Sequence, residues 1–217
     1  MKNRIHTIFA LFFVVLTGCT VTQQSISESD IRDGIKITTG YRGCSSCSKV
    51  KTYYSPPIAR ISTRFSDPEV SGWINVKLSL ALTNRTENFV PQYQLIAEFT
   101  NNGFFSEGTD VYIDGVKLNA TGDRQGEKCF SNVGSGCSWT QAYVLDHKGV
   151  EDALKSASGI NLFIGKPVLA MALSNDGYMQ RPIAKRTIVG VRETIPSSAL
   201  VGFIKGLQAK GVELPGG

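Results

Sequence analysis

The sequence is poor in the side chains that most often perform acid–base and nucleophilic chemistry. It contains 2 histidines, and His147 is the one that lies beyond the N-terminal segment. It has no Gly-x-Ser-x-Gly nucleophile turn, no His-Glu-x-x-His zinc motif and no glycine-rich phosphate loop. We therefore predict no catalytic residue and no metal site. His147, at the start of a predicted helix, is expected to be a solvated surface residue.

The chain also lacks a strong charge and a long apolar run. Lysine and arginine number 23 against 18 acids, and the net charge of +5 is too mild to indicate a nucleic-acid partner. The apolar run Ile8–Leu16 is well short of the roughly 18 residues that a membrane-spanning helix requires. We therefore predict neither nucleic-acid binding nor a transmembrane helix.

The N-terminus combines a basic start, a short apolar core and a small-residue motif. Lys2 and Arg4 precede Ile8–Leu16, whose length is typical of the core of a cleaved signal peptide. The run ends in Leu16–Cys19 (LTGC), which resembles the lipobox of bacterial lipoproteins. In that family the cysteine carries a diacylglycerol and usually an N-acyl chain, and several chains together anchor a protein stably. The resemblance implies lipidation of Cys19 and a location in the bacterial cell envelope.

The same resemblance bears on cofactors and on the choice of membrane. The covalent lipid on Cys19 is the only attached group that we expect, and no other cofactor is predicted. Thr20 stands where, in enteric-type bacteria, an Asp resembles an inner-membrane retention signal, so the outer membrane, facing the periplasm, is favoured. The alternative is an ordinary cleaved signal peptide followed by a cysteine that carries no lipid.

Composition divides the chain into three segments. Residues 1–18 are the predicted lipoprotein signal peptide, residues 19–33 a lipidated flexible tether, and residues 34–217 a single β-rich globular domain. The tether is polar and has no aromatic residue. A flexible coil of this length spans roughly 20 Å, so the domain is expected to sit close to the membrane.

Four cysteines remain for the domain, namely Cys44, Cys47, Cys129 and Cys137. An even number in an exported protein indicates disulfides. Three pairings exist, and we favour Cys44–Cys47 and Cys129–Cys137 because each pair is close in sequence and lies in a stretch rich in glycine and serine. Two alternatives are a thiol redox site at Cys44 and Cys47 and a four-cysteine zinc site, which the spacing of Cys129 and Cys137 does not suit.

Alternating polarity gives the clearest structural signal. Apolar residues occupy every second position from Ile74 to Leu82 and predict a strand with one buried face, and 93–99 repeats the pattern. Val111–Leu118 is predicted to be a hairpin around Asp114-Gly115, a pair that suits a type I′ turn. That register places Ile113 opposite Val116.

The remaining segments complete a mainly β prediction. A helix capped by Asp146 is expected to end at Gly159, and a C-terminal helix to span 198–210. A turn is expected at Gly165–Pro167. Further strands are predicted at 35–39, 58–65, 138–145, 160–164, 168–173, 178–183 and 187–193. Many short strands with only two helices indicate an antiparallel sandwich, immunoglobulin-like or barrel-like, with two short helices.

The C-terminal helix has two contrasting faces. Large apolar residues follow helical spacing on one face, and the opposite face is built of the small residues Ala199, Gly202, Gly206 and Ala209. Small residues at this spacing allow another backbone to approach closely, so we predict a packing surface for a partner subunit or a second copy. The alternative is that the glycines are exposed and merely tolerated.

Three function classes follow from these features. The first is a non-catalytic, membrane-anchored envelope lipoprotein that binds an envelope protein partner or self-associates as an assembly module. The second is a lipoprotein that binds a lipid, a glycan or another small molecule. The third is an envelope enzyme, either with thiol redox chemistry at Cys44 and Cys47 or a hydrolase that uses dispersed carboxylates. The absence of a catalytic motif favours the first class.

Overall fold

The computed structural model describes residues 26–41, 49–66, 71–85, 91–106, 108–131, 135–156, 158–175 and 180–214. In chain order the elements are α1 (Glu28–Asp33), β1 (Lys36–Tyr41), β2 (Lys49–Tyr54), β3 (Ala59–Phe65), β4 (Gly72–Arg85), β5 (Gln92–Gly103), β6 (Asp110–Ile113), β7 (Val116–Lys117), β8 (Gln125–Phe130), β9 (Gly136–Val144), α2 (His147–Ser156), β10 (Ile160–Asn175), β11 (Gln180–Ile195) and α3 (Ser197–Ala209).

The strands form two antiparallel sheets. The larger has seven strands in the order β1-β2-β4-β5-β9-β8, with β3 paired to β4 beside this path. The smaller has four strands in the order β11-β10-β6-β7. The sheets curl into a sandwich or half-barrel, which confirms the predicted mainly β, antiparallel class.

The two central strands of the larger sheet follow the alternation in the sequence. Ile74 and Leu78 of β4 have no exposed surface, and Leu78 lies opposite the equally buried Ala97 of β5. Lys77 and Glu98 form an ion pair of 2.7 Å on the other face. Burial of every second side chain therefore fixes the register, because a slip by one residue would expose the apolar set.

The turn predicted at Gly165–Pro167 is wrong. β10 is continuous through these residues and pairs with β11 along its whole length. Gly165 lies opposite Gly190, and a β-carbon on either glycine would collide with the backbone of the facing strand. The glycine pair thus serves a close approach between two strands, a role that the local sequence does not distinguish from a turn.

A helix replaces part of the predicted tether. Ser27 caps α1 by accepting a hydrogen bond from the Asp30 amide at 3.1 Å, and Ile31 has no exposed surface. The boundary placed after residue 33 is therefore wrong, because residues 28–33 pack as part of the domain. Ile31 is the one core side chain of α1. The sequence of this segment is therefore too polar to predict a packed helix.

The two predicted helices are confirmed by α2 and α3. Gly159 follows α2 with a φ of 74°, a conformation that favours glycine. Within the described ranges, no helix is long and apolar enough to cross a membrane.

Candidate functional site

A groove with a volume of about 510 Å³ lies between α2 and the β6–β7 hairpin. Such a volume is within the range of small-molecule sites. Most of its lining is apolar, contributed by Ile113, Val116, Leu118, Leu145, Val150, Ala153 and Ile160. The sequence motifs did not reveal this groove, because its walls come from segments far apart along the chain.

The hairpin that forms one wall has the predicted geometry. Asp114 and Gly115 have φ values of 50° and 79°, as a type I′ turn requires, and Ile113 lies opposite Val116. Val116 is 69% exposed at the rim of the groove. An apolar side chain this exposed, beside an apolar concavity, marks a surface suited to binding an apolar group.

Helix α2 forms the facing wall and is fixed at its start. Asp146 caps it by accepting a hydrogen bond from the Gly149 amide at 3.3 Å. Val150 is buried in the core and lines the groove together with Leu145. The buried side chains beneath the groove therefore hold its floor in place.

Among the described residues that line the groove there is no lysine, arginine or histidine. Its charged groups are Asp114 and Asp146, both exposed. The arrangement suits an uncharged or positively charged ligand group, and it disfavours a carboxylate or a phosphate because like charges repel.

His147 is a packing residue rather than the fully solvated one that we predicted. Its ring stacks on Tyr93 with centroids 5.6 Å apart, and its Nε2 lies 3.1 Å from Glu151 Oε1. Burial, followed by the nearby Glu151 carboxylate, raises the pKa of Tyr93 to about 12. His147, the one histidine beyond the N-terminal segment, therefore joins α2 to β5 through its contact with Tyr93.

The cysteine predictions have separate outcomes. Cys129 and Cys137 form the predicted disulfide and lie opposite each other on β8 and β9. This bond removes two of the ligands that a four-cysteine zinc site needs, and the described residues contain no group of three metal-binding side chains. Cys19, Cys44 and Cys47 lie outside the described residues, so lipidation and the second disulfide stay predictions.

The small-residue face of α3 is covered by the chain itself. Ala199, Gly202 and Gly206 are buried, whereas Ala209 is exposed. A β-carbon on Gly202 would lie 2.5 Å from the Glu28 carbonyl oxygen of α1. The predicted close approach of another backbone exists, but α1 makes it, which corrects the assignment of these three residues to a partner subunit or second copy.

A second feature is the outer part of the smaller sheet, residues 166–175 and 180–189, which we call the outer ribbon. β6 pairs with β10 from Leu162 to Gly165. Beyond that point β10 and β11 pair only with each other among the described strands. The outer ribbon contains one lysine or arginine at each of positions 166, 181, 185 and 186, and no acidic residue.

The base of the outer ribbon is attached to the larger sheet. Lys166 Nζ donates a hydrogen bond to the Phe104 carbonyl oxygen at 3.0 Å and lies 4.6 Å from the centre of the Phe104 ring. This contact sits at the level of the Gly165–Gly190 pair, where the third strand ends.

No protein-family model, no curated protein and no solved structure matches this chain. The groove and the outer ribbon are therefore the features from which a function can be argued.

Proposed function

We propose that this protein is a non-catalytic lipoprotein of the bacterial envelope, anchored through Cys19, that binds a partner protein and assembles it at the membrane. The N-terminal motif supports the anchor, because Leu16–Cys19 follows a basic start and a short apolar core. The outer membrane, facing the periplasm, is the proposed location.

The outer ribbon is the observation that carries the proposed binding function. A two-stranded ribbon is marginally stable by itself in water, and this one continues past the last strand that supports it. Among the described strands none pairs with its outer edges, and a free strand edge is a template for a strand of another protein. A partner strand added at this edge would complete the sheet.

The charge of the outer ribbon indicates which kind of partner it would bind. The sequence places Arg181, Lys185 and Arg186 on the β11 strand of the outer ribbon and no acid within residues 166–175 and 180–189, while Asp176 lies in the link between the two strands, outside the described residues. Charges of one sign steer association with a surface of opposite sign. We therefore propose an acidic segment of an envelope protein as the occupant.

The anchor is tested by metabolic labelling with a fatty-acid analogue. We expect wild-type protein to be labelled and Cys19→Ser to remain unlabelled, because only the thiol accepts the diacylglycerol. After cell fractionation, the variant should be recovered in the soluble fraction and the wild type in the membrane fraction. Equal labelling of both proteins would reject the anchor.

The partner is tested by photo-crosslinking in intact cells from position 180 at the end of β11. We expect a crosslinked protein band that R181E/K185E/R186E abolishes. The matched control is K51E/R60E/K128E, which reverses three exposed cations elsewhere on the domain and should leave the band unchanged. Loss in both variants, or crosslinks to lipid alone, would reject a cationic protein-binding ribbon.

A further inference from the structure

We propose that the groove between α2 and the β6–β7 hairpin receives an acyl chain of the lipid attached to Cys19. This inference uses the lipid anchor that belongs to the proposed function, but it does not depend on the outer ribbon. It assigns the groove a defined occupant, namely the chain's own lipid.

The first support is the chemistry of the groove. The seven apolar residues that line it offer contacts to a hydrocarbon chain, and its volume of about 510 Å³ is within the range of small-molecule sites. Val116 and the partly buried Ile113 would cover the chain from the hairpin side, and Val150 would contact it from α2. Apolar surface at the rim would then leave water when the chain is bound.

The second support is charge, which selects among lipids. A free fatty acid has a carboxylate and a phospholipid has a phosphate, and both groups are normally held by cations. Asp114 and Asp146 line the groove, and its other described lining residues include no cation. The acylated amine and the glyceryl esters of a lipoprotein anchor are uncharged, so the groove suits this lipid better than an anionic one.

The third support is position. Glu28 of α1 lies against Gly202 of α3, and Arg32 lies against Gly206. The two helices are therefore parallel, and the start of α1 faces the middle of α3, from which α3 runs back to its first residue, Ser197. There Gly159, a residue of the groove, lies against Ile195 and Pro196, directly before α3.

The reach of the tether is sufficient. Ile26 is packed against the core, so the chain leaves the domain at a fixed point near α3. Extended chain covers at most about 3.3–3.6 Å per residue, which gives roughly 24 Å between Ile26 and Cys19. The distance along α3 from Pro196 to Gly202 is about 9 Å at 1.5 Å per residue, so Gly159, the groove residue that lies against Pro196, is within that reach.

The test uses full-length, lipidated protein labelled in cells with a photoreactive fatty-acid analogue. After extraction and irradiation, peptide mapping should find the label joined to residues 113–118 or 145–161 of the same chain. Val116→Asp should lower this internal crosslink at least several-fold. Ile37→Asp is the matched control, because Ile37 is also an exposed apolar residue, 48% exposed, on β1, and it should leave the crosslink unchanged.

Each outcome has one meaning. Label on Cys19 without groove crosslinks would overturn the inference and leave the lipid anchor intact. Absence of label on the wild type would overturn both. A Cys19→Ser protein mixed with the free photoreactive fatty acid should show little groove labelling, and labelling as strong as in the wild type would instead identify the groove as a site for exogenous fatty acid.

Discussion

At Gly202 the missing side chain allows α1 to lie directly on α3. A β-carbon there would lie 2.5 Å from the Glu28 carbonyl oxygen, closer than carbon and oxygen can approach. We predict that Gly202→Ala lowers the free energy of unfolding by about 1–3 kcal/mol, because the helices must separate. Denaturant titration followed by circular dichroism measures the change.

Gly149 provides the matched control in α2. The nearest atom that a β-carbon would meet there is 4.0 Å away, on Asp146. Alanine should therefore raise the free energy of unfolding by about 0.5–1 kcal/mol through its higher helix propensity. If Gly202→Ala stabilises the protein as Gly149→Ala does, α1 does not occupy that face of α3.

Ionisation of Tyr93 should lower the free energy of unfolding at alkaline pH. Its pKa rises to about 12 in the folded protein, first because of burial and then because of Glu151, whereas an unfolded tyrosine ionises near 10. The stabilisation is thus complete below pH 10 and is lost as the pH rises towards 12. We predict that the wild type loses about 1–2 kcal/mol more than Tyr93→Phe over this interval.

Unfolding curves collected between pH 9 and pH 12 measure this difference. Burial also raises the pKa of Tyr143, so Tyr143→Phe should remove a further part of the alkaline loss. If the free energies of unfolding of the wild type and Tyr93→Phe change equally between pH 9 and pH 12, the folded state does not disfavour the Tyr93 phenolate.

At the scale of elements, α1 should contribute to stability although its sequence is polar. Ile31 is fully buried, and truncation of such a residue to alanine typically costs 2–5 kcal/mol. We predict a loss of about 2–4 kcal/mol for Ile31→Ala and a lower melting temperature for a chain that begins at Gly34. Ser29→Ala, an exposed change on the same helix, is the control.

Calorimetry of these variants distinguishes a structural helix from a passive tether. If the chain beginning at Gly34 melts at the same temperature as the full domain, α1 does not contribute to the stability of the domain.

The elements that sequence predicts well are those whose signals are local. The alternation in β4 and the Asp-Gly pair of the β6–β7 hairpin encode their own structure, and both are confirmed. α1 was missed because one buried Ile31 gives no periodicity. The continuous path of β10 was missed because the Gly165–Gly190 contact is made across strands. β8 was missed because all its residues are exposed, so no alternation marks it.

The candidate site is less predictable because it is assembled over distance. The sequence explains Val116 as a hairpin residue, Val150 as a helix residue and Ile160 as a strand residue. Nothing in their spacing indicates that they line the same groove. The small-residue face of α3 was predicted to pack against a partner subunit or a second copy, and this is wrong for Ala199, Gly202 and Gly206, which the chain itself buries. Its partner could not be identified, because the helix that fills it lies at the other end of the chain.

At the scale of the whole molecule, the direction of β11 determines where the outer ribbon lies relative to the point at which the chain enters the domain. β11 begins at Gln180 on the outer ribbon and ends at Ile195, next to α3 and the groove. The chain enters the described part of the domain beside α3, so this entry point and the outer end of the ribbon at Gln180 lie at opposite ends of β11. Sixteen residues of strand extend roughly 50 Å at about 3.3 Å per residue.

We therefore predict that the outer ribbon points away from the membrane, towards partners in the surrounding compartment. With lipidated protein on vesicles that contain an acceptor dye, a donor at Ser198 should transfer energy strongly and a donor at Gln180 weakly. The expected difference in height is tens of ångströms, because β11 would span at most roughly 50 Å between the two positions if it were straight. Cys19→Ser should abolish transfer from both. Stronger transfer from Gln180 would place the outer ribbon at the lipid surface, where its cations would contact anionic headgroups instead of an acidic protein.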